Sequence, residues 1–231
     1  MGHIFKTLIV TAGQGIKVEP TTDEFIQNVY DTAMQKLNAF YKINWTDRTP
    51  NIFIMPDRNT VDIIRKEKTE TWLKAWTQGI GIYILDRNKY EPENEYAKAD
   101  AYYETLIIHE FSHPFFAIAS DGHTKPNWLN EGTAMYVSGQ TKLFKTQRNT
   151  SNKTIDFKTF LEYYNKHDKG IYAESGIAVE VLANNFGNEK LLGLITKLKT
   201  VDSINEFNYR FAHIYGFKPS YEKFNELLKK R

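Results

Sequence analysis

His109-Glu110-Phe111-Ser112-His113 sets two histidines four residues apart, with a glutamate directly after the first. Read as a helix, this spacing places both imidazoles one turn apart on the same side. Neutral imidazole is a good ligand for zinc, and such a pair can bind one ion from a single helix. Glu110 lies beside the two rings, where its carboxylate could take a proton from a metal-bound water. The stretch therefore predicts a metal site that includes His109 and His113.

Apolar residues flank this pattern on most sides of the expected helix. They are Leu106, Ile107, Ile108, Phe111, Phe115, Phe116 and Ile118. A helix that is apolar nearly all round is buried. Two histidines and a glutamate in such surroundings need polar partners, because an unpaired buried polar group is costly. A metal ion would be that partner, and the alternative is a helix that carries two histidines by coincidence.

A catalytic zinc site also needs a third protein ligand and an open position for water. The metzincin pattern would place a third histidine six residues after His113, but that position is Ala119. His123 follows in a polar turn and is a weaker candidate. Glu131 is better placed, on a second helix that Pro126 is expected to start. The alternative for Glu131 is a solvated glutamate favoured by the helix dipole.

The second informative stretch is Trp128-Leu129-Asn130-Glu131-Gly132-Thr133-Ala134-Met135-Tyr136. Together with residues 109–113, it resembles the gluzincin metallopeptidases, and most closely the peptidase MA-like branch. The second motif of that branch reads roughly W-L-x-E-G-x-A-x-Y. The resemblance covers roughly residues 79–230, although only the two ligand motifs are specific. It implies a zincin-like fold and the hydrolysis of peptide bonds.

The resemblance also implies roles for single residues. His109, His113 and Glu131 would be the ligands of one catalytic zinc ion, with Glu110 as the general base. Tyr172 would stabilise the oxyanion, because the run from Tyr172 to Ser175 is similar to a Y-x-x-S helix start in that branch. The alternative for Tyr172 is a packed aromatic side chain. Reserve candidates for its role are His167, Tyr136 and His213.

Two positions depart from the family pattern. Pro114 follows the second histidine, where it removes the backbone donor to the carbonyl of Glu110 and favours a kink. Met135 stands where some gluzincins carry an acidic residue, four places after the third ligand. A carboxylate that orients a histidine would therefore come from elsewhere.

The expected fold is α+β, with an N-terminal mixed β-sheet and helices, then the active-site helix, then a mostly helical C-terminal half. Residues 1–118 would form the first lobe and residues 119–231 the helical lobe of one catalytic unit. Strands are predicted at 4–10, 51–55 and 79–85, where the last is either the sheet edge beside the cleft or an interior strand. Further helices are expected at about 24–41, 60–77, 157–166, 172–186, 188–199, 203–215 and 219–230, with a basic loop at 141–154.

Composition excludes several other classes of function. The chain has 231 residues with 30 basic and 28 acidic side chains, and this balance gives no reason to expect nucleic-acid binding. It has no cysteine, so a thiolate metal site is excluded. No apolar run reaches the length of a membrane span. We expect a monomer that acts on peptides or proteins, and a secreted or cell-envelope location with any signal peptide outside this sequence.

Three hypotheses from different classes follow. The first is an active zinc peptidase, the second is a catalytically silent zincin-like binding module, and the third is a structural domain without metal. The presence of Glu110 disfavours the second hypothesis, because a general base has no function in a module that does not catalyse a reaction. The two ligand motifs disfavour the third.

Overall fold

The computed structural model describes residues 5–11, 15–89, 100–149 and 156–230. It divides into two compact units. The first comprises Met1–Lys36 and Asn44–Pro114, and the second comprises Leu37–Ile43 and Phe115–Arg231. Among the described helices, none is both long and apolar enough to cross a membrane.

A five-stranded mixed sheet is the framework of the first unit. Its strands are β1 (Phe5–Thr11), β2 (Gly15–Thr21), β3 (Asn51–Met55), β4 (Ala75–Gln78) and β5 (Gly81–Leu85). The order is β2-β1-β3-β5-β4, with β1–β3 and β3–β5 parallel and the other two pairs antiparallel. The predicted mixed sheet is confirmed. Strand β5 lies in its interior and β4 at its end, so of the two alternatives for the strand at 79–85 the interior one is observed.

Two helices, α1 (Glu24–Tyr41) and α3 (Asp100–Ala119), supply residues that pack on one face of this sheet. Ile52 and Ile82 are paired on this face and fully buried. Tyr30 of α1 lies 5.9 Å from Phe5 of β1 and 5.2 Å from Phe111 of α3, measured between ring centroids. The face therefore holds α3, which carries the two-histidine pattern, against the strands.

The segment predicted as one helix over 60–77 contains a short helix and a strand instead. Helix α2 (Arg58–Arg65) ends at Lys66, whose φ of 59° is left-handed and stops the helix. Further along, Trp76 lies on β4 and stacks on its cross-strand partner Tyr83 at 5.1 Å. Trp72 and Trp76 stand four residues apart, a spacing that also fits a helix, but cross-strand stacking fixes the ring of Trp76 on a strand.

The second unit is mostly helical, as predicted. Its full-length helices are α4 (Asn127–Ser138), α5 (Gln140–Asn149), α6 (Ile171–Phe186), α7 (Asn188–Thr196), α8 (Ile204–Tyr215) and α9 (Tyr221–Lys229). Helix α5 replaces most of the loop predicted at 141–154, and residues 150–155 lie outside the described ranges. The helix predicted at 157–166 is only a 3-10 turn, Phe160–Glu162.

The carboxylate of Glu174 lies at the start of that short turn. Its Oε2 atom accepts hydrogen bonds from the backbone amides of Lys158, Thr159 and Phe160, at 2.9, 2.7 and 3.1 Å. The first amides of a helical turn have no partner within the turn, so this carboxylate caps its start.

Aromatic residues fill the core of the second unit. Trp128 of α4 lies edge-on to Phe160 at 5.0 Å and to Phe207 at 6.0 Å. Helices α4 and α6 approach closely at Gly132, where an added Cβ would lie 2.4 Å from the carbonyl oxygen of Ser175. This glycine lets α4 pack directly on the backbone of α6, and it stands next to the predicted ligand Glu131.

Candidate metal centre

Helix α3 brings the residues of the first motif together. The ring centroids of His109 and His113 are 5.0 Å apart, with their planes at 80°. One potential ligand atom from each of His109, Glu110 and His113 lies within 4.8 Å of the other two. Ligand atoms that share one zinc ion at about 2.1 Å stand at most about 4.2 Å apart. The three side chains are therefore close enough together to be candidate ligands of one ion.

Burial and donor chemistry both suit a cation at this place. His109 and Glu110 are only 4% and 6% exposed, and His113 is partly exposed. Neutral imidazole and carboxylate oxygen are donors that zinc accepts. Low exposure strengthens the attraction between an ion and these groups, since little water screens it. The residues present therefore fit the metal that the sequence predicts.

Thr77 is a neighbour of this group that sequence reasoning missed. It lies on β4, and its hydroxyl oxygen is 2.8 Å from Oε2 of Glu110 and 2.9 Å from the carbonyl oxygen of the same residue. Helix α3 continues through Pro114 to Ala119. The only signal in the sequence was the proline, which removes a donor to the Glu110 carbonyl. Nothing local identified Thr77 as its replacement.

The second unit holds the other predicted site residues in a cluster of their own. Glu131 lies on α4, which begins directly after Pro126 as predicted, and it is 7% exposed. Its Oε1 atom is 2.9 Å from Nε2 of His167. The ring of His167 meets that of Tyr172 edge-on, with centroids 5.9 Å apart. Within this unit the chain thus brings together the predicted third ligand, the predicted oxyanion stabiliser and a reserve candidate.

Comparisons with known proteins add no family to these observations. No family model matches the chain, and neither the curated proteins nor the solved structures gave a significant match. The resemblance to gluzincins therefore depends on the two sequence motifs alone. The roles of Glu131 as a zinc ligand and of Tyr172 as an oxyanion stabiliser stay predictions.

The remaining candidates from the sequence have other surroundings. His123 is partly exposed, and its Nδ1 atom lies 3.1 Å from the carbonyl oxygen of Asp121. The hydroxyl of Tyr136 donates to the side chain of Asn188 at 3.1 Å. His213 is exposed in the last turn of α8. The contacts given for His123 and Tyr136 involve neither Glu110 nor Glu131.

Proposed function

We propose that this chain is a zinc-dependent peptidase of the gluzincin type. The observation that carries the proposal is the grouping of His109, Glu110 and His113 on one buried helix, with their potential ligand atoms within 4.8 Å of one another. This is the arrangement that the H-E-x-x-H pattern needs for chemistry: two imidazole ligands from one helix face and a carboxylate beside them. The motif around Glu131 supports the same family.

In this proposal His109, His113 and Glu131 hold one zinc ion. When bound, the ion supplies Lewis-acid chemistry, which lowers the pKa of water to about 7 and polarises a carbonyl group. Glu110 accepts the proton of the attacking water and passes it to the leaving amine. Its low exposure suits this role, because a base shielded from bulk water exchanges its proton with the substrate rather than with solvent.

The oxyanion of the reaction needs a further donor from the chain. The hydroxyl of Tyr172 fills that role in the proposal, and the imidazole of His167 is the reserve. The contact between these two rings, together with the hydrogen bond from His167 to Glu131, supports placing both side chains beside the third ligand. The two residues are separable by mutation, since Tyr172→Phe removes one hydroxyl and leaves the ring.

A peptide substrate would be an extended chain. Strand β4 ends the described sheet, and only β5 pairs with it among the described strands. A strand of this kind offers backbone donors and acceptors to an added strand. Thr77 of β4 contacts Glu110 directly, so this edge lies next to the proposed base. The substrate class we assign is therefore a peptide or an extended protein segment.

The test combines metal analysis with a peptide-library digest. The purified chain should bind one zinc ion, and a chelator should abolish cleavage. Glu110→Gln should keep the zinc and lose activity by about 100-fold or more, because it removes the general base. Glu104→Gln, a partly exposed position on the same helix, is the matched control and should cleave like the parent. Zinc without cleavage would indicate the silent binding module, and absence of zinc a structural domain.

A further inference from the structure

Pro114 removes one backbone hydrogen bond from α3. The missing bond is the one to the carbonyl of Glu110, the proposed general base. In an α-helix the carbonyl of Glu110 would accept from the amide of residue 114. Proline has no amide hydrogen, so this donor is missing although the helix continues to Ala119. A buried carbonyl needs a replacement donor. In this structure the replacement comes from outside the helix.

The hydroxyl of Thr77 is that replacement donor. It lies 2.9 Å from the Glu110 carbonyl oxygen, and the same hydroxyl lies 2.8 Å from Oε2 of the Glu110 carboxylate. A hydroxyl carries one hydrogen, and both a carbonyl oxygen and an ionised carboxylate oxygen can only accept it. The hydrogen of Thr77 is therefore shared between the two oxygens, and the hydroxyl bridges the backbone and the side chain of Glu110. Because β4 pairs with β5 over residues 75–78, the hydroxyl is carried on a strand rather than on a loose loop.

We propose that Thr77 is a positioning residue for the general base. Its hydroxyl shares one hydrogen between the Glu110 carbonyl and Oε2 and thereby fixes the orientation of the carboxylate, which leaves Oε1 as the oxygen that receives the proton. The inference rests on the proposed function in taking Glu110 as the base. It goes beyond that function because neither sequence motif contains Thr77.

The first test removes the hydroxyl without changing the shape of the side chain. Thr77→Val should lower kcat by about 10- to 100-fold, because a displaced catalytic group loses rate on this scale. KM and zinc content should stay near the parent values. Thr77→Ser keeps the hydroxyl and should recover kcat to within a few-fold. Thr60→Val, which removes a buried hydroxyl bonded to Asp57 in the same unit, should leave kcat unchanged.

A double variant separates positioning from stability. Thr77→Val leaves the Glu110 carbonyl without its donor, so the midpoint of thermal unfolding should fall by roughly 2–8 °C. Adding Pro114→Ala returns an amide to that carbonyl and should recover most of this loss. The kcat of the double variant should remain as low as that of Thr77→Val. Recovery of kcat together with stability would overturn the proposal, as would a Thr77→Val enzyme with the parent's kcat.

A readout without turnover distinguishes failure of this inference from failure of the proposed function. The carboxyl carbon of Glu110 can be followed by NMR in protein labelled with ¹³C-glutamate, with Glu110→Gln giving the assignment. Thr77→Val should shift this signal, whereas Thr60→Val and Thr77→Ser should leave it close to the parent position. An inactive parent chain with this pattern would reject the peptidase function and keep the positioning role. An unshifted signal in Thr77→Val would reject the positioning role.

Discussion

The two clusters of predicted site residues differ in how the chain assembles them. His109, Glu110 and His113 stand within five consecutive positions of α3, so the helical repeat alone brings them to one place. Glu131 and His167 are 36 positions apart, on different segments of the second unit. The segment that carries His167 is held against the start of α4 by backbone hydrogen bonds from Asn127 and Trp128 to the carbonyl oxygens of Tyr164 and Tyr163. A local cluster of this kind can be inferred from spacing, whereas a cluster that depends on tertiary packing cannot.

The clusters also differ in exposure. Glu110 is buried and bonded to a strand hydroxyl, while the side chain of His167 is 46% exposed where it meets Glu131. Water around an exposed imidazole weakens its electrostatic hold on a carboxylate. We therefore expect the first cluster to have one fixed geometry and the second to adjust when its glutamate binds a ligand.

The largest expected effect comes from removing a ligand of the first cluster. His113→Ala should lose most of the bound zinc and lower cleavage by about a thousandfold or more, because the metal supplies several kcal/mol of transition-state stabilisation. His123→Ala is the control, since this partly exposed histidine has its own backbone contact. Zinc content by mass spectrometry and a peptide assay measure both variants. Equal zinc content in the two would remove His113 from the ligand set.

A smaller effect is expected from the residue that supports Glu131. His167→Ala should weaken zinc binding by about 10- to 100-fold, the usual range for a group that orients a metal ligand. His213→Ala, at another exposed position of the same unit, should bind zinc like the parent. Competition with a chromophoric chelator measures both affinities. An unchanged zinc affinity in His167→Ala would mean that this contact does not orient Glu131 for metal binding. The two clusters would then differ more, because only the contacts of the first would matter for the metal.

The last expected effect is on stability rather than on zinc binding, and it concerns the packing of Gly132 beside Glu131. Gly132→Ala should lower the free energy of unfolding by about 1–3 kcal/mol, because the new methyl group meets the Ser175 carbonyl oxygen at 2.4 Å and a methyl of Val179 at 2.7 Å. Gly193→Ala in α7 meets nothing within 4 Å and should raise stability by about 0.5–1 kcal/mol. Urea denaturation measures both changes. Equal shifts in the two variants would show that α4 and α6 do not need this close approach.

Much of the fold could be predicted, because hydrophobic periodicity reports the faces that elements bury. The helices α1, α6 and α8 follow this rule closely, and so does strand β3. Strand β2 was missed, since only a turn was expected around Gly15. Its Ile16 and Val18 are 46% and 49% exposed, so no buried face marks the strand. Backbone pairing with β1, rather than a buried side-chain face, forms this strand.

Only part of the candidate site could be predicted from the sequence. The first motif predicts its own geometry, because all its residues belong to one helix. Thr77 and the contact between Glu131 and His167 could not be inferred, since each joins elements that are far apart in sequence. Pro114 was a partial signal: it marks a carbonyl that needs a donor, but only the sheet determines which residue supplies it.

The central claim is that two imidazoles and the Glu131 carboxylate share one zinc ion. A crystal structure of the zinc-loaded chain, with anomalous data at the zinc absorption edge, measures this directly. We expect one peak at about 2.0–2.2 Å from a ring nitrogen of His109, a ring nitrogen of His113 and a carboxylate oxygen of Glu131. A zinc ion bound by the two histidines with Glu131 beyond coordination distance, or no ion at these side chains, would contradict it.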